Sequence, residues 1–406
     1  SPRVNQGRFI VSCLLFLYKT LSTARQLQMA KPLMLLSFLV ASLLPPSDAL
    51  KFLAWNPILA HSHANFQGKI SDALVEAGHE VVMLSPVLNI DIKNVTSKLA
   101  RIIHVPPNDF TKEYSRIFEA TLSKDLWKSE QADPYVFVEP MRNLTPYYVE
   151  QCRMTLTSPG LQESLREEKF DGAYGEEMDP CGFGIFHLLG INKFALTVSV
   201  ASLDDSAVTG VPLFPSFQPG VMSMYGDKMS FWERLYNLRT IHSGQLAWEP
   251  VFDGVKELFD HLYKGTPKIQ DIIKNASYFF VNTESLIDFP RLVSRKMIDI
   301  GGIALPTKWE AIQEPLSSEL SLRPRTVLIS FGSVMFSHLM PEQFKQSIRS
   351  LALALPNVTF LWKYEKPEHN VAAGIPNLIT HTWLPQTDLL RDPRLSAFVT
   401  HGGAGS

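Results

Sequence analysis

Two stretches of this chain hold residues whose types and spacing suit chemistry. The first is His61-Ser62-His63, just after the apolar run Lys51–Asn56. An imidazole has an unperturbed pKa near neutrality, so it is the natural base for taking a proton from a hydroxyl. Two blander readings stand beside that one. The histidines could merely hydrogen-bond backbone in a surface turn, or bind a metal as His61-x-His63, although no third ligand stands at recognisable spacing. The second stretch is Trp383–Ser406, in which the apolar run Leu395–Thr400 empties into His401-Gly402-Gly403-Ala404-Gly405-Ser406. A strand that ends in a glycine-rich turn presents backbone N–H groups to a phosphate. Trp383 adds a flat face for a base, and Gln386 and His401 add polar donors. These are the parts of a nucleotide-diphosphate site.

The elements that must position them follow from hydrophobic period. Lys51–Asn56 reads as a strand, residues 57–65 as a polar turn, Phe66–Ala77 as a helix closed by Gly78, and Glu80–Ser85 as the next strand. Strand, helix and strand with a short return form a βαβ unit and predict a parallel sheet. The first turn lacks G-x-G-x-x-G, which argues against a dinucleotide site there. Residues 110–165 read as helices with aromatic insertions, Phe170–Tyr174 as a strand ending at Glu176 and Glu177, Pro180–Leu189 as a helix and Phe194–Val200 as a strand. Ser230 and Glu233 have capping-box spacing for a helix through Asn237. Residues 304–321, rich in proline, read as a linker. A second βα pattern then runs from the strand Thr326–Ser330 through Phe331-Gly332-Ser333 to a helix over Pro341–Leu355 and a strand over Asn357–Tyr364. The expected fold is α/β: two doubly wound Rossmann-like domains facing across a cleft, residues 50–303 and 322–406, the second incomplete.

At 406 residues the chain is long enough for two domains, and its hydrophobic fraction of 45% is that of a globular protein. With 38 basic against 40 acidic side chains, no electrostatic reason exists to expect nucleic acid as a partner. Residues 29–49 read as a secretory signal peptide, a Lys followed by the apolar run Leu33–Leu44 and a small-x-small site, and residues 1–28 as a non-native leader. Sequons at Asn94, Asn143, Asn275 and Asn357 add to the expectation of a lumenal chain. Three cysteines allow a Cys152–Cys181 bond, but two buried thiols are the favoured reading.

Trp383, Pro385-Gln386, Asp388-Leu389-Leu390, Phe398 to Gly403 and Ser406 fall at the spacing of a known signature. The stretch resembles the UDP-glycosyltransferases, specifically the animal endoplasmic-reticulum UDP-glucuronosyltransferase branch. The resemblance implies the two-domain GT-B fold and transfer of a glucuronosyl or glucosyl group from a UDP-sugar to a small lipophilic acceptor. It selects His63 as the catalytic base and makes His61 a bystander. It also implies an aspartate shortly before Pro-Cys behind that base, and counting back from Pro180-Cys181 puts Glu176 there, one methylene longer. A solvated acidic turn is the other reading of Glu176, Glu177 and Asp179, and Glu177 is the fallback partner. On the donor side it places Ser333 near the diphosphate, Trp383 on uracil, Gln386 on ribose, His401 on the α-phosphate, and Gly403 and Ser406 on the phosphates.

No Asp-x-Asp pair occurs, so donors and a helix end would neutralise the leaving group. The expectation is inversion with no catalytic metal and no cofactor beyond the UDP-sugar co-substrate. The acceptor pocket is expected from Phe66, the 110–150 helices and the Pro212–Trp232 segment. The resemblance further implies donor-sugar residues and a carboxy-terminal membrane anchor beyond Ser406, which makes the chain a fragment of a longer product. A homo-oligomer is also among the partner expectations. A non-catalytic binder of UDP-sugar or lipophile is the alternative function, and an NAD-type oxidoreductase a third.

Overall fold

Strands β1 (Lys51–Trp55), β2 (Glu80–Pro86), β3 (Arg101–Val105), β4 (Gly172–Glu176), β5 (Phe194–Val198), β6 (Tyr278–Val281) and β7 (Met297–Asp299) make one sheet in the order β3-β2-β1-β4-β5-β6-β7. Every pairing in it is parallel. Strands β8 (Arg325–Ser330), β9 (Val358–Lys363), β10 (Leu378–His381) and β11 (Leu395–Thr400) make a second parallel sheet in the order β10-β9-β8-β11. The chain is described here by a computed structural model covering residues 49–92, 96–128, 135, 138–200, 209–220, 223–306 and 309–403. The leader, nearly all of the signal segment, Asn94 and Ser406 lie outside the described residues. Among the described residues no helix is long and apolar enough to cross a membrane.

Parallel strands covered on both faces need apolar side chains on both, and the sequence supplies them. Along β1, Leu53 and Trp55 enter one core while Ala54 enters another with Phe66, Ile70 and Tyr174. Along β9, Phe360 and Trp362 face one way and Leu361 the other. The period of two along each strand sets these faces.

The helices that bear on the site are α1 (His61–Glu76), α2 (Asp109–Lys128), α3 (Thr145–Leu156), α4 (Cys181–Leu188), α5 (Phe231–Leu262), α6 (Glu342–Ala354) and α7 (Gln386–Arg391). Two differ from the sequence reading. Helix α1 begins five residues earlier than the apolar period indicates, because its first turn, His61-Ser62-His63, is polar and faces a cavity. Helix α5 starts at the expected capping box, with the Ser230 N–H donating to Glu233 Oε2 at 2.6 Å, but runs 32 residues. Val251, Val255 and Phe259 on its later turns are fully buried and hold it in place. Strands β3, β7 and β10 were not legible, being short or polar at their ends. Cys152 on α3 and Cys181 at the start of α4 form a disulfide, 5.7 Å between Cα atoms, so the reading of two free thiols is corrected.

Candidate active site

In open α/β sheets ligands bind beyond the carboxyl ends of the strands, where the strand order reverses. The first sheet reverses between β1 and β4, the second between β8 and β11. The first point is flanked by the turn into α1, which carries His63, and by Glu176 at the end of β4. The second is flanked by Phe331-Gly332-Ser333 and by His401-Gly402-Gly403. A cavity of about 640 Å³ has His61, His63 and Tyr148 on one side and Ser333, Lys363 and Trp383 on the other.

His63 Nδ1 lies 2.8 Å from Glu176 Oε2. Glu176 Oε1 in turn accepts the Ser199 hydroxyl at 2.5 Å and the Ser199 N–H at 3.0 Å. The Ser199 Oγ is also 2.8 Å from His63 Nδ1. With the serine hydroxyl donating to the carboxylate, the Nδ1–H of a neutral His63 ring donates to Glu176 and Ser199, which leaves Nε2 unprotonated. Burial pulls the His63 pKa down, but the Glu176 charge and hydrogen bond outweigh it and hold the ring above its ordinary value. Burial likewise pushes Glu176 up, and His63 and the two Ser199 bonds bring it below the usual carboxylate range. The carboxylate is thus held at both oxygens, by His63 at one and by Ser199 at the other. Glu177 is not the partner of His63, and Glu176 is buried rather than part of a solvated turn.

Asp179 is buried beside this pair. Burial raises its pKa to about 7, with the neighbouring Glu176 charge adding to the rise and the Cys181 N–H, donating at 3.0 Å, opposing it. His61 faces the other wall, its ring centroid 5.0 Å from that of Trp383. Burial and then the Lys363 charge lower its pKa, which keeps it neutral.

Across the cavity, Trp383 is 55% exposed, so it is no core residue. The Lys363 ammonium stands 5.8 Å from its ring centroid and 3.0 Å from Glu365 Oε1. Sequence reasoning missed Lys363 and Ser199; the signal for the first was a lysine closing an otherwise apolar strand. His401 does not line the cavity but packs behind the Ser333 loop. Gly332 has φ +77°, and a Cβ there would lie 2.5 Å from the His401 ring, so glycine is required on both counts. Burial lowers the His401 pKa. Gln386 opens α7 and Gly403 adjoins the His401 ring; neither lines the cavity.

The acceptor-side wall differs in part from the expectation. Ser115, Leu122, Met141, Leu144 and Tyr147 come from the expected helices, and Trp248 from α5. Phe66 is instead core, 2% exposed under β1 and β2, because its position on α1 faces the sheet. The described part of Pro212–Trp232 does not reach the cavity.

Two doubly wound parallel sheets with a shared cavity at their switch points make up a GT-B fold. Among solved structures, Os79 from O. sativa, in complex with U2F and trichothecene, superposes with a TM-score of 0.52 at 14% identity, covering 86% of this chain and 77% of that one. The family model "UDP-glucoronosyl and UDP-glucosyl transferase" matches residues 51–406, and the chain belongs to that family. It is 31% identical over 364 residues to the Caenorhabditis elegans UDP-glucuronosyltransferase ugt-56, covering 88% of this chain and 68% of that protein. It is 28% identical over 390 residues to human UDP-glucuronosyltransferase 3A2, covering 92% and 70%. The protein is therefore a glycosyltransferase-type enzyme that transfers sugar from a UDP-sugar.

Proposed function

We propose that the chain transfers a glucuronosyl or glucosyl group, with inversion, to a hydroxyl of a small lipophilic acceptor, and that His63 is the general base. The observation that carries this reading is the contact of His63 Nδ1 with Glu176 at 2.8 Å on the wall of a cavity that Ser333 and Trp383 also line. Nε2 takes the acceptor proton as the hydroxyl oxygen attacks the anomeric carbon and the bond to the diphosphate breaks. Glu176 orients the ring and stabilises the imidazolium, and Ser199 holds Glu176. On the donor side Trp383 stacks on uracil, and Lys363 and Ser333, which line the same cavity, meet the diphosphate, so departing charge is neutralised without a catalytic metal. The apolar wall of Leu122, Met141, Leu144 and Trp248 supports phenols, steroids or other lipophilic alcohols as acceptors. A lumenal, endoplasmic-reticulum setting is supported by the disulfide and by exposed sequon asparagines at Asn143, Asn275 and Asn357.

The test is His63→Ala in the full chain, with UDP release followed against 4-nitrophenol and either UDP-glucuronate or UDP-glucose. Loss of about 10²- to 10⁴-fold in kcat with UDP affinity intact is expected. Unchanged turnover removes His63 from the mechanism, and a wild type that binds UDP but turns over no acceptor favours a binding protein.

A further inference from the structure

Helix α2 packs beside the first sheet's elements, yet its last turn is built into the second. Trp127 Nε1 donates to the Phe336 carbonyl at 2.9 Å, and the Ser123 Oγ accepts the Phe336 N–H at 2.8 Å. The indole meets Phe331 edge-on, centroids 5.0 Å apart, and packs against the core of β8 and β9. Ser123 is fully buried. Side chains one helical turn apart therefore take both backbone polar groups of a single residue 209 and 213 positions away. The Leu339 N–H shares the same carbonyl at 3.1 Å. Between Phe331 and Phe336 lies the loop that offers Ser333 and Val334 to the cavity, and Ser115 and Leu122 of the same helix line the opposite wall.

We propose that Ser123 and Trp127 are positioning residues for the donor loop. By clasping Phe336 they fix the loop that carries Ser333 at a spacing from the acceptor wall set by α2. A loop left free would have to be ordered when the diphosphate binds, and that entropy would be subtracted from affinity. A clasp made in the fold removes the cost in advance. This inference rests on the reading of Ser333 as a donor-side group. It differs from simple packing in one respect: packing needs only an aromatic ring at position 127, whereas the clasp needs its N–H and the Ser123 oxygen.

The experiment compares the full wild-type chain with Trp127→Phe and Ser123→Ala. Amide hydrogen exchange over residues 331–336 is followed without nucleotide, and UDP affinity is measured by calorimetry. Each variant is expected to speed exchange in the loop and raise the UDP Kd roughly 5- to 20-fold, as loss of one hydrogen bond that leaves its buried partner unpaired predicts. The His63 ring titration, followed by NMR, should stay put. Folded variants with exchange and UDP Kd both within about twofold of wild type overturn the clasp. Faster exchange with an unchanged Kd overturns the positioning role. Should Trp127→Phe fail to fold, Ser123→Ala decides alone, since it deletes one acceptor without changing ring packing. A wild type that binds no UDP overturns the donor reading and the positioning role together, while exchange still reports whether Phe336 is held.

Discussion

On one side of the cavity, His63, Glu176 and Ser199 close a buried set of contacts at 2.5–3.0 Å, in which the carboxylate is gripped at both oxygens. On the other side Trp383 is more than half exposed, and Lys363 reaches over its ring from 5.8 Å. The first region is finished before any ligand arrives. The second is more open: Trp383 meets His61 at 5.0 Å between ring centroids, and Lys363 is held by Glu365 at 3.0 Å. Proton transfer depends steeply on geometry and tautomer, so a base gains from being fixed in advance. A base-stacking face gains from access, since it is covered only in the complex. Loss of a group should therefore reach the chemical step on the first side and donor affinity on the second.

The sharpest way to break that contrast is Glu176→Gln. The Glu176 charge that raises the His63 pKa is then lost while burial still lowers it, so the ring should titrate lower than in the wild type. Because the base works only when neutral, the acid limb of kcat/KM should move to lower pH, while kcat falls by about 10²- to 10⁴-fold. A pH–rate profile reads both, and an unmoved limb would separate Glu176 from the base. Trp383→Ala should do the opposite. Donor KM should rise by about ten- to a hundredfold, from a stacking contribution of about 1–3 kcal/mol, with the acid limb in place. A change confined to kcat would contradict the division.

Ser199→Ala is the finer probe of the fixed side. It removes one hydroxyl from a charged acceptor, worth about 1.5–3 kcal/mol, and leaves the N–H. About tenfold lower kcat and a shifted His63 titration by NMR are expected, with Ser199→Thr restoring both. The smallest effect on turnover is expected of Asp179→Asn, which acts on stability instead. The folded Asp179 pKa of about 7 stands above its ordinary 3.8, so the fold binds more protons than the unfolded chain between those values. The stability this group contributes is present below pH 4 and is lost as pH climbs toward 7. The Asn variant should therefore melt higher than wild type at pH 8 and alike at pH 4, as thermal unfolding across that range would show.

Much of this was legible along the chain. Short apolar runs marked β1, β8 and β11 within a residue or so, and for β1 and β8 such a run is what a strand covered on both faces demands. The terminal signature marked Trp383, which lines the cavity, but also His401, which packs behind the Ser333 loop instead, since spacing in sequence does not tell which way a side chain turns. Glu176 was reached only by counting against a family pattern, and its substitution for the expected aspartate gave no hint of how the extra length would be absorbed. Ser199 gave no signal at all. It reaches Glu176 because β4 and β5 pair in parallel with Glu176 opposite Thr197, which sets the residue just past β5 beside the end of β4.

By itself, then, the sequence determined the local pattern of the longer apolar elements, the glycines that the turns require and the family to which the chain belongs. The tertiary structure alone decided that Ser199 closes on His63 and Glu176, that Cys152 reaches Cys181, and that α2 closes on Phe336. The physical reason is range. Side-chain period and turn chemistry act over a few residues and leave their mark in the string of letters. Meetings across the cleft depend on strand order and on helices docking against two sheets, which no local pattern records.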